Sequence, residues 1–405
     1  MNHNRTSDPE RTQHGDPGLR RVAHQLPDPV AMARRLVRTA SVNPVLEQNG
    51  TGEREIAGLV ADWLGRWGYA VGTTEVAPGR FNVVARFGSG SGPVLLLNGH
   101  LDTVGVEGMP DPFSGDVHEG RLHGRGAADM KGGVACILAA AAALATEDLP
   151  GELVVALTAD EEHASLGMEA LVATGIHADA GVVCEPTGLA VMPAHKGFLW
   201  INAEVKGRAA HGSRPELGVD AIAHAGHLLV AFEAEAARLA RDTDHPLLGP
   251  ASVHAGTIAG GSAPSVYPDR CEIVFERRTL PGETVDQVMR EAERVLDGAR
   301  RGCPQLEARL EPGLFRAGTE VPAASPVVRG LLAACERAGL PGTVAGMSAW
   351  VDACFLNRSG IPAVCFGPGS IAQAHTDDEW ISTSEIEAGA EILTDFSRRF
   401  LAEGR

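Results

Sequence analysis

The sequence predicts an α/β protein: an open sheet with helices around it and a smaller α+β unit inserted into the chain. Three observations carry this expectation. Short apolar runs at 94–98, 152–158 and 181–184 read as strands buried on both faces. Each of these runs ends in histidine or carboxylate residues. From about residue 198 the apolar pattern changes to strict alternation, as in half-exposed strands.

Taken in order, 28–38 and 53–68 carry amphipathic helical patterns, the second closed by Gly68. Residues 81–87 and 94–98 read as strands, and the second runs into Gly99-His100-Leu101-Asp102. Residues 131–145 read as a helix entered through Gly132 and Gly133. The strand at 152–158 leads to Asp160-Glu161-Glu162, and the short one at 181–184 leads to Glu185. In an open α/β sheet such carboxyl ends line up along one edge, where ligands bind. A strand (198–205), a helix (218–240), two strands (252–258 and 270–277), a helix (284–300) and a strand (306–310) follow. This β-α-β-β-α-β order is the ferredoxin-like arrangement. The buried-strand pattern returns at 363–366, then Gly367-Pro368-Gly369 and His375.

The chain has 405 residues, enough for two cores. A net charge of −17 excludes a nucleic-acid partner, which needs a basic surface. Seven single cysteines without a CxxC pair indicate reduced thiols and a cytoplasmic protein, not a disulfide framework. The apolar run 134–145 is too short to span a bilayer, so no membrane partner is expected. Residues 1–28, polar and without a signal-peptide pattern, read as a disordered tail.

Each polar feature has a bland reading alone. His100 and Asp102 could cap a turn, 160–162 could be a solvated acidic turn, and His375 could be a surface histidine. The glycine-rich 124–133 segment around Asp129 lacks the spacing of a phosphate loop. Together, two histidines and four or five carboxylates at one sheet edge match a two-metal hydrolase. Nitrogen and oxygen ligands without thiolate suit Zn2+, with Co2+ or Mn2+ as substitutes.

The ordered motifs GHLDTV, GRGAADMKGG, TADEE, CEPT, AHGSRP, ERRTLPGE and AHTDDEW, spread over about residues 28–400, resemble the acetylornithine deacetylase, succinyl-diaminopimelate desuccinylase and glutamate carboxypeptidase family. The resemblance implies a zinc-peptidase-like three-layer α/β/α catalytic domain (29–195 and 314–405). It also implies that the ferredoxin-like insert (196–313) is a lid and dimerisation domain, giving a homodimer. It implies two divalent metal ions: His100 on one, His375 on the other, Asp129 bridging, Glu162 completing one site and Glu185 the other. Asp102 would orient His100, and Glu161 would be the general base. His211 would stabilise the tetrahedral intermediate, often in the partner's site, and Arg278 would pair with a substrate carboxylate. Ser265 stands where many members have a substrate-binding asparagine, a departure that leaves the substrate open. Lys196 and Gly197 are expected at the pocket border, and Asp352 is expected to face the substrate.

The resulting expectation is a hydrolase of N-acyl amino acids or related small carboxylated amides, with acetylornithine deacetylase-like activity first. Desuccinylase, aminoacylase and dipeptidase or glutamate carboxypeptidase activities come next, and an unusual amide or C–N bond is a further alternative. A non-catalytic metal and small-molecule binder is the competing class. Retention of Glu161 and every proposed ligand favours the enzyme.

Overall fold

A computed structural model describes residues 28–402. The expected N-terminal tail lies outside the described residues except for Asp28, which belongs to the first helix as its N-cap. Its carboxylate accepts from Val30 N at 2.9 Å, and Pro29 occupies the first turn of helix Pro29–Val37.

Among the described residues the main sheet has nine strands. From one edge they run Ala70–Ala77, Arg80–Gly88, Glu152–Thr158, Val94–His100, Ala180–Val183, Ala363–Cys365, Val191–His195 and Thr319–Glu320, with Val344–Met347 also pairing to Val191–His195. The four from Glu152–Thr158 to Ala363–Cys365 are parallel. Register aligns Leu97 with Val155 on one side and Val182 on the other, so these strands end at a common edge. Their side chains alternate between two cores: Leu95, Leu97, Leu153 and Val155 face one, Leu96, Val154 and Ala156 the other. The first core is closed by helices that include Gly132–Leu144 and Thr383–Ala402, the second by Leu166–Ala173 and Ala353–Arg358. The result is the expected three-layer arrangement.

The 18 residues Ala127–Leu144 are long and apolar enough to cross a bilayer, a longer stretch than the run noted in the sequence. They form the central helix of the first core and its entry turn, and 94% of them are buried within the protein.

The insert has a four-stranded antiparallel sheet ordered Ser252–Gly260, Arg270–Thr279, Gly197–Lys206, Glu307–Arg316. Leu199, Ile201, Ala203 and Val205 enter a separate core under helices Ala221–Asp242 and Val285–Gly302, where Phe232 stacks on Phe275. Thr284 and Gln287 form a capping box at the second helix. The last strand is longer than the sequence suggests and continues to Arg316, which pairs with Phe198, so residue 314 lies inside it. Pro312 and Gly313 read as a break, yet this is an edge strand, where a missing N–H is tolerated and a register shift absorbs it. The strands Ala70–Ala77 and Val191–His195 and the helices Pro326–Arg337 and Thr383–Ala402 were not apparent from the sequence patterns.

Beneath the common strand edge lies a buried ionic layer. Arg80 grips Glu53 with two prongs (Nε–Oε2 2.7 Å, Nη2–Oε1 2.5 Å) and reaches Asp160 Oδ1 at 2.8 Å. Asn43 Nδ2 donates to Asp160 Oδ1 (3.0 Å) and Asp102 Oδ2 (2.9 Å). All five side chains are buried. Arg80→Met should therefore leave Glu53 and Asp160, and Asp102 at 3.8 Å, without their cation. A loss of about 3–5 kcal/mol in urea unfolding is expected, and a loss below about 1 kcal/mol would contradict this role for Arg80.

His195 supplies a second stability test. Its Nδ1–H donates to Lys196 O (3.0 Å) and its Nε2 accepts from the Thr319 hydroxyl (2.7 Å), which fixes the neutral ring. Burial pushes its pKa down from 6.5 to about 4, against the pull of the Lys196 carbonyl. Above 6.5 the ring is neutral in both folded and unfolded chains; between 6.5 and about 4 only the unfolded chain takes the proton. Acidification thus costs stability, about 2 kcal/mol by pH 5 at 1.4 kcal/mol per unit. His195→Asn should flatten the pH dependence of unfolding by that amount relative to the unsubstituted chain; parallel curves would refute it.

Candidate metal centre

His100 is the last residue of a seven-residue strand buried throughout. Its Nδ1–H donates to the backbone carbonyl of Asp102 at 2.9 Å, which turns Nε2 toward Asp129 Oδ1 at 3.0 Å. The expectation that the Asp102 carboxylate orients His100 needs correction. That carboxylate stands 3.7 Å from Nδ1 and instead accepts the backbone N–H groups of Glu161 (3.1 Å) and Glu162 (3.3 Å). Asp102 orients His100 through its carbonyl and holds the acidic turn through its side chain.

Asp129 sits in a wide turn, Ala127–Lys131, that leads into helix Gly132–Leu144 and departs from helical geometry at Asp129 and Met130. Gly126, at φ +79°, opens the turn, and a Cβ there would lie 2.6 Å from Thr103 Cγ2. A Cβ at Gly133 would lie 2.0 Å from the Cys184 carbonyl, so glycine lets this helix approach the strand end that carries Glu185. Asp129 Oδ2 faces the other imidazole, 3.6 Å from His375 Nε2. His375, at φ +64°, is half exposed and meets Glu162 Oε2 at 3.0 Å. One carboxylate therefore stands between two imidazoles, with one oxygen toward each.

The electrostatics are those of crowded acids. Burial, then the charge of Glu185, holds the Glu161 carboxyl well above its ordinary value. Burial and Asp129 push Glu162 up to about 7 and Glu185 to about 8. Burial pushes Asp352 to about 7, opposed by the Ser165 hydroxyl and His100. Burial opposes charge on His100, but Asp129 more than compensates and raises it well above 6.5. For Asp129, His100 outweighs burial and holds the carboxyl below its usual range. Glu162 Oε1 and Glu185 Oε1 are buried without a hydrogen-bond partner. Acceptor-only oxygens with no donor, beside two imidazoles and with no thiolate, form a donor set that fits divalent cations. His100, Asp129 and Glu162 offer ligand atoms that all lie within 4.8 Å of one another.

The sequence-derived residues divide accordingly. His100, Asp102, Asp129, Glu161, Glu162, Glu185 and His375 converge at the sheet edge, and Asp352 lies buried among them. His211, Ser265 and Arg278 lie on the insert and make no hydrogen bond or ion pair to this cluster. The His211 and Ser265 loops meet through Gly212 N and Ser265 O at 2.7 Å. His211 Nδ1 is 2.8 Å from the Ser213 hydroxyl and accepts Ser213 N–H at 3.2 Å, which leaves the ring proton on Nε2. Arg278 pairs with Glu276 at 2.7 Å and lies over the Phe198 ring. Lys196 donates to Pro250 O at 2.6 Å, and Gly197 begins the insert's first strand against the 316–318 backbone.

Sequence reasoning missed Asn43, Arg80 and Glu53, which brace the acidic turn, and Arg125 and Glu379, which brace Asp129. Glu379 ends the run Asp377-Asp378-Glu379, whose first two members are exposed, so only the buried third carries structure. The adjoining Trp380, first residue of strand Trp380–Ser382, was the available signal that the run turns inward there.

Comparison with known proteins places the chain in a family. The chain is 32% identical over 394 residues to the acetylornithine deacetylase of Proteus mirabilis (strain HI4320), covering 94% of this chain and 98% of the relative. Aminopeptidase PepT from Bacillus cereus superposes with a TM-score of 0.77 at 22% identity, over 93% of this chain and 98% of that one. The Bacillus subtilis YXEP protein, described as a dinuclear metal binding peptidase from the M20 family, superposes at 0.71 with 18% identity, over 92% and 97%. The model of peptidase family M20/M25/M40 matches residues 96–399, three-quarters of the chain and every proposed ligand within it, and the protein belongs to that family of hydrolases.

Proposed function

We propose that this hydrolase cleaves the amide bond of an N-acyl amino acid, in the manner of an acetylornithine deacetylase, using two divalent cations. The observation that carries the reading is the position of Asp129, one oxygen toward His100 and the other toward His375, with unpartnered oxygens of Glu162 and Glu185 beside them. His100, Asp129 and Glu185 would hold one cation, and His375, Asp129 and Glu162 the other. Zn2+ suits this set best, with Co2+ or Mn2+ as substitutes. The chemistry supplied by such cations when bound is Lewis acidity, which polarises a carbonyl and brings the pKa of water toward neutrality.

The protein's residues supply the rest. Glu161 is left out of both ligand sets, and its backbone is held on Asp102. A carboxylate placed there without a cation of its own suits a group that takes a proton from attacking water at one oxygen and returns it to the leaving nitrogen. His211, with its proton on Nε2, can donate to the developing oxyanion when the insert closes. Arg278 offers a guanidinium for the carboxylate of the amino acid, and Ser265 a hydroxyl for its backbone. The sequence relatives called acetylornithine deacetylases support the acyl-amino-acid class.

A second copy of the chain is proposed along the insert. Strand Ser252–Gly260 is a sheet edge exposed over most of its length, including Ile258, and the neighbouring helix Ala221–Asp242 exposes Ile222 and Val230. Sedimentation as a dimer, converted to monomer by Val230→Glu with Ile258→Lys, is the expected outcome; a monomeric native protein would contradict it.

Chelation should abolish hydrolysis across a panel of N-acetyl, N-succinyl and dipeptide substrates, and Zn2+ or Co2+ should restore it. Glu161→Gln should lower kcat at least about 100-fold with metal uptake retained. Absence of turnover on the whole panel by the metal-loaded native protein would defeat the proposal, and full activity of Glu161→Gln would remove that residue from it.

A further inference from the structure

The two sides of the proposed centre are built with unequal rigidity. His100 ends a strand flanked on both sides by parallel neighbours, so the backbone ladder fixes it. His375 is half exposed, at φ +64°, in a loop between strands Ala363–Cys365 and Trp380–Ser382, and no ladder holds it. Asp129 stands in a turn that departs from helical geometry at Asp129 and Met130.

Arg125 and Glu379 tie these two loops to each other across about 250 residues of sequence. The Glu379 carboxylate, 1% exposed, accepts Gly126 N (2.9 Å) and the Arg125 guanidinium (2.8 Å) at Oε2. At Oε1 it accepts Ala128 N (2.8 Å) and the N–H of Asp129 itself (3.1 Å). In the opposite direction Arg125 Nη1 donates to the carbonyl of Thr376, next to His375, at 3.0 Å, and its Nε donates to Gly105 O at 2.8 Å. The 379 carbonyl receives Gly124 N at 3.1 Å. The carboxylate from the His375 loop thus organises the Asp129 loop, and the guanidinium from the Asp129 loop organises the His375 loop. Removing either leaves buried backbone groups unpaired at the turn that aims Asp129.

We propose that Arg125 and Glu379 are a positioning pair that sets Asp129 against His375 and so determines affinity for the cation on the His375 side, while the His100 side, which shares Asp129 but has its imidazole fixed by the strand ladder, changes less. This rests on the two-cation reading above. Partners behind a ligand commonly change metal affinity by about 10–100-fold, and here the change should fall mainly on the His375 side.

The test is Co2+ titration of the metal-free full-length protein, followed by calorimetry and visible absorption, for the native chain, Glu379→Gln and Arg125→Lys. The native chain should bind two Co2+ in resolvable steps. Both variants should keep the first step within about threefold and weaken the second about 10–100-fold, with the second step's absorption band altered. An unchanged second step overturns the proposal. So does an equal loss in both steps, the mark of general damage to the fold. If Glu379→Gln does not fold, Arg125→Lys, which keeps the charge but loses the fork to Thr376 and Gly105, decides by the same criteria. Fewer than two Co2+ on the native chain would overturn the two-cation reading and the proposal with it.

Discussion

Crowding of carboxylates at the end of one parallel sheet is the constraint around which the molecule is arranged. Glu161, Glu162, Glu185 and Asp352 are all pushed upward by burial, with the charges of neighbouring acids raising Glu161, Glu162 and Glu185 further. Among the described residues none of the four has an arginine or lysine ion pair; Glu162 alone meets a histidine. Such a set needs protons or cations to stay together. One layer below, the chain solves the same problem with a guanidinium: Arg80 answers Glu53 and Asp160, with Asn43 filling the remaining acceptors. The lower layer is complete in itself and the upper one is not. That difference marks the upper layer as a site and the lower one as its foundation.

The fold supplies two kinds of support for this upper layer. Strand ends give positions that hydrogen-bond ladders determine, and His100 and Glu185 depend on them. Loops give positions that side chains must determine. Asp102 fastens the 161–162 turn by its backbone N–H groups, and Glu379 fastens the Asp129 turn in the same way. In both cases a buried carboxylate does the work of an absent ladder. The insert has its own core beneath its four-stranded sheet, and His211, Ser265 and Arg278 lie on it.

Most of the fold, and the residues that meet at the candidate centre, were legible in the sequence. Period-two alternation at 199–205 marked the strand that faces the insert's core. Continuous apolar runs marked the parallel strands, and the polar residues following them marked the site edge. What escaped was whatever depended on partners distant in sequence. Ala70–Ala77 is exposed on most of its length and carries little apolar signal. Pro312 and Gly313 conceal an edge strand that continues past them.

By itself the sequence determined the residue types of the centre, their order and the layer architecture, because periodicity and strand ends are local properties of the chain. Only the tertiary structure decided that Asp102 reaches His100 by its carbonyl, not its carboxylate, and that Glu379 differs from Asp377 and Asp378 beside it. Only it showed Asp129 standing between two imidazoles from opposite ends of the chain. The reason is physical: a hydrogen bond between groups 250 residues apart leaves no pattern in either segment, and which acidic residue is buried depends on packing that neither segment contains alone.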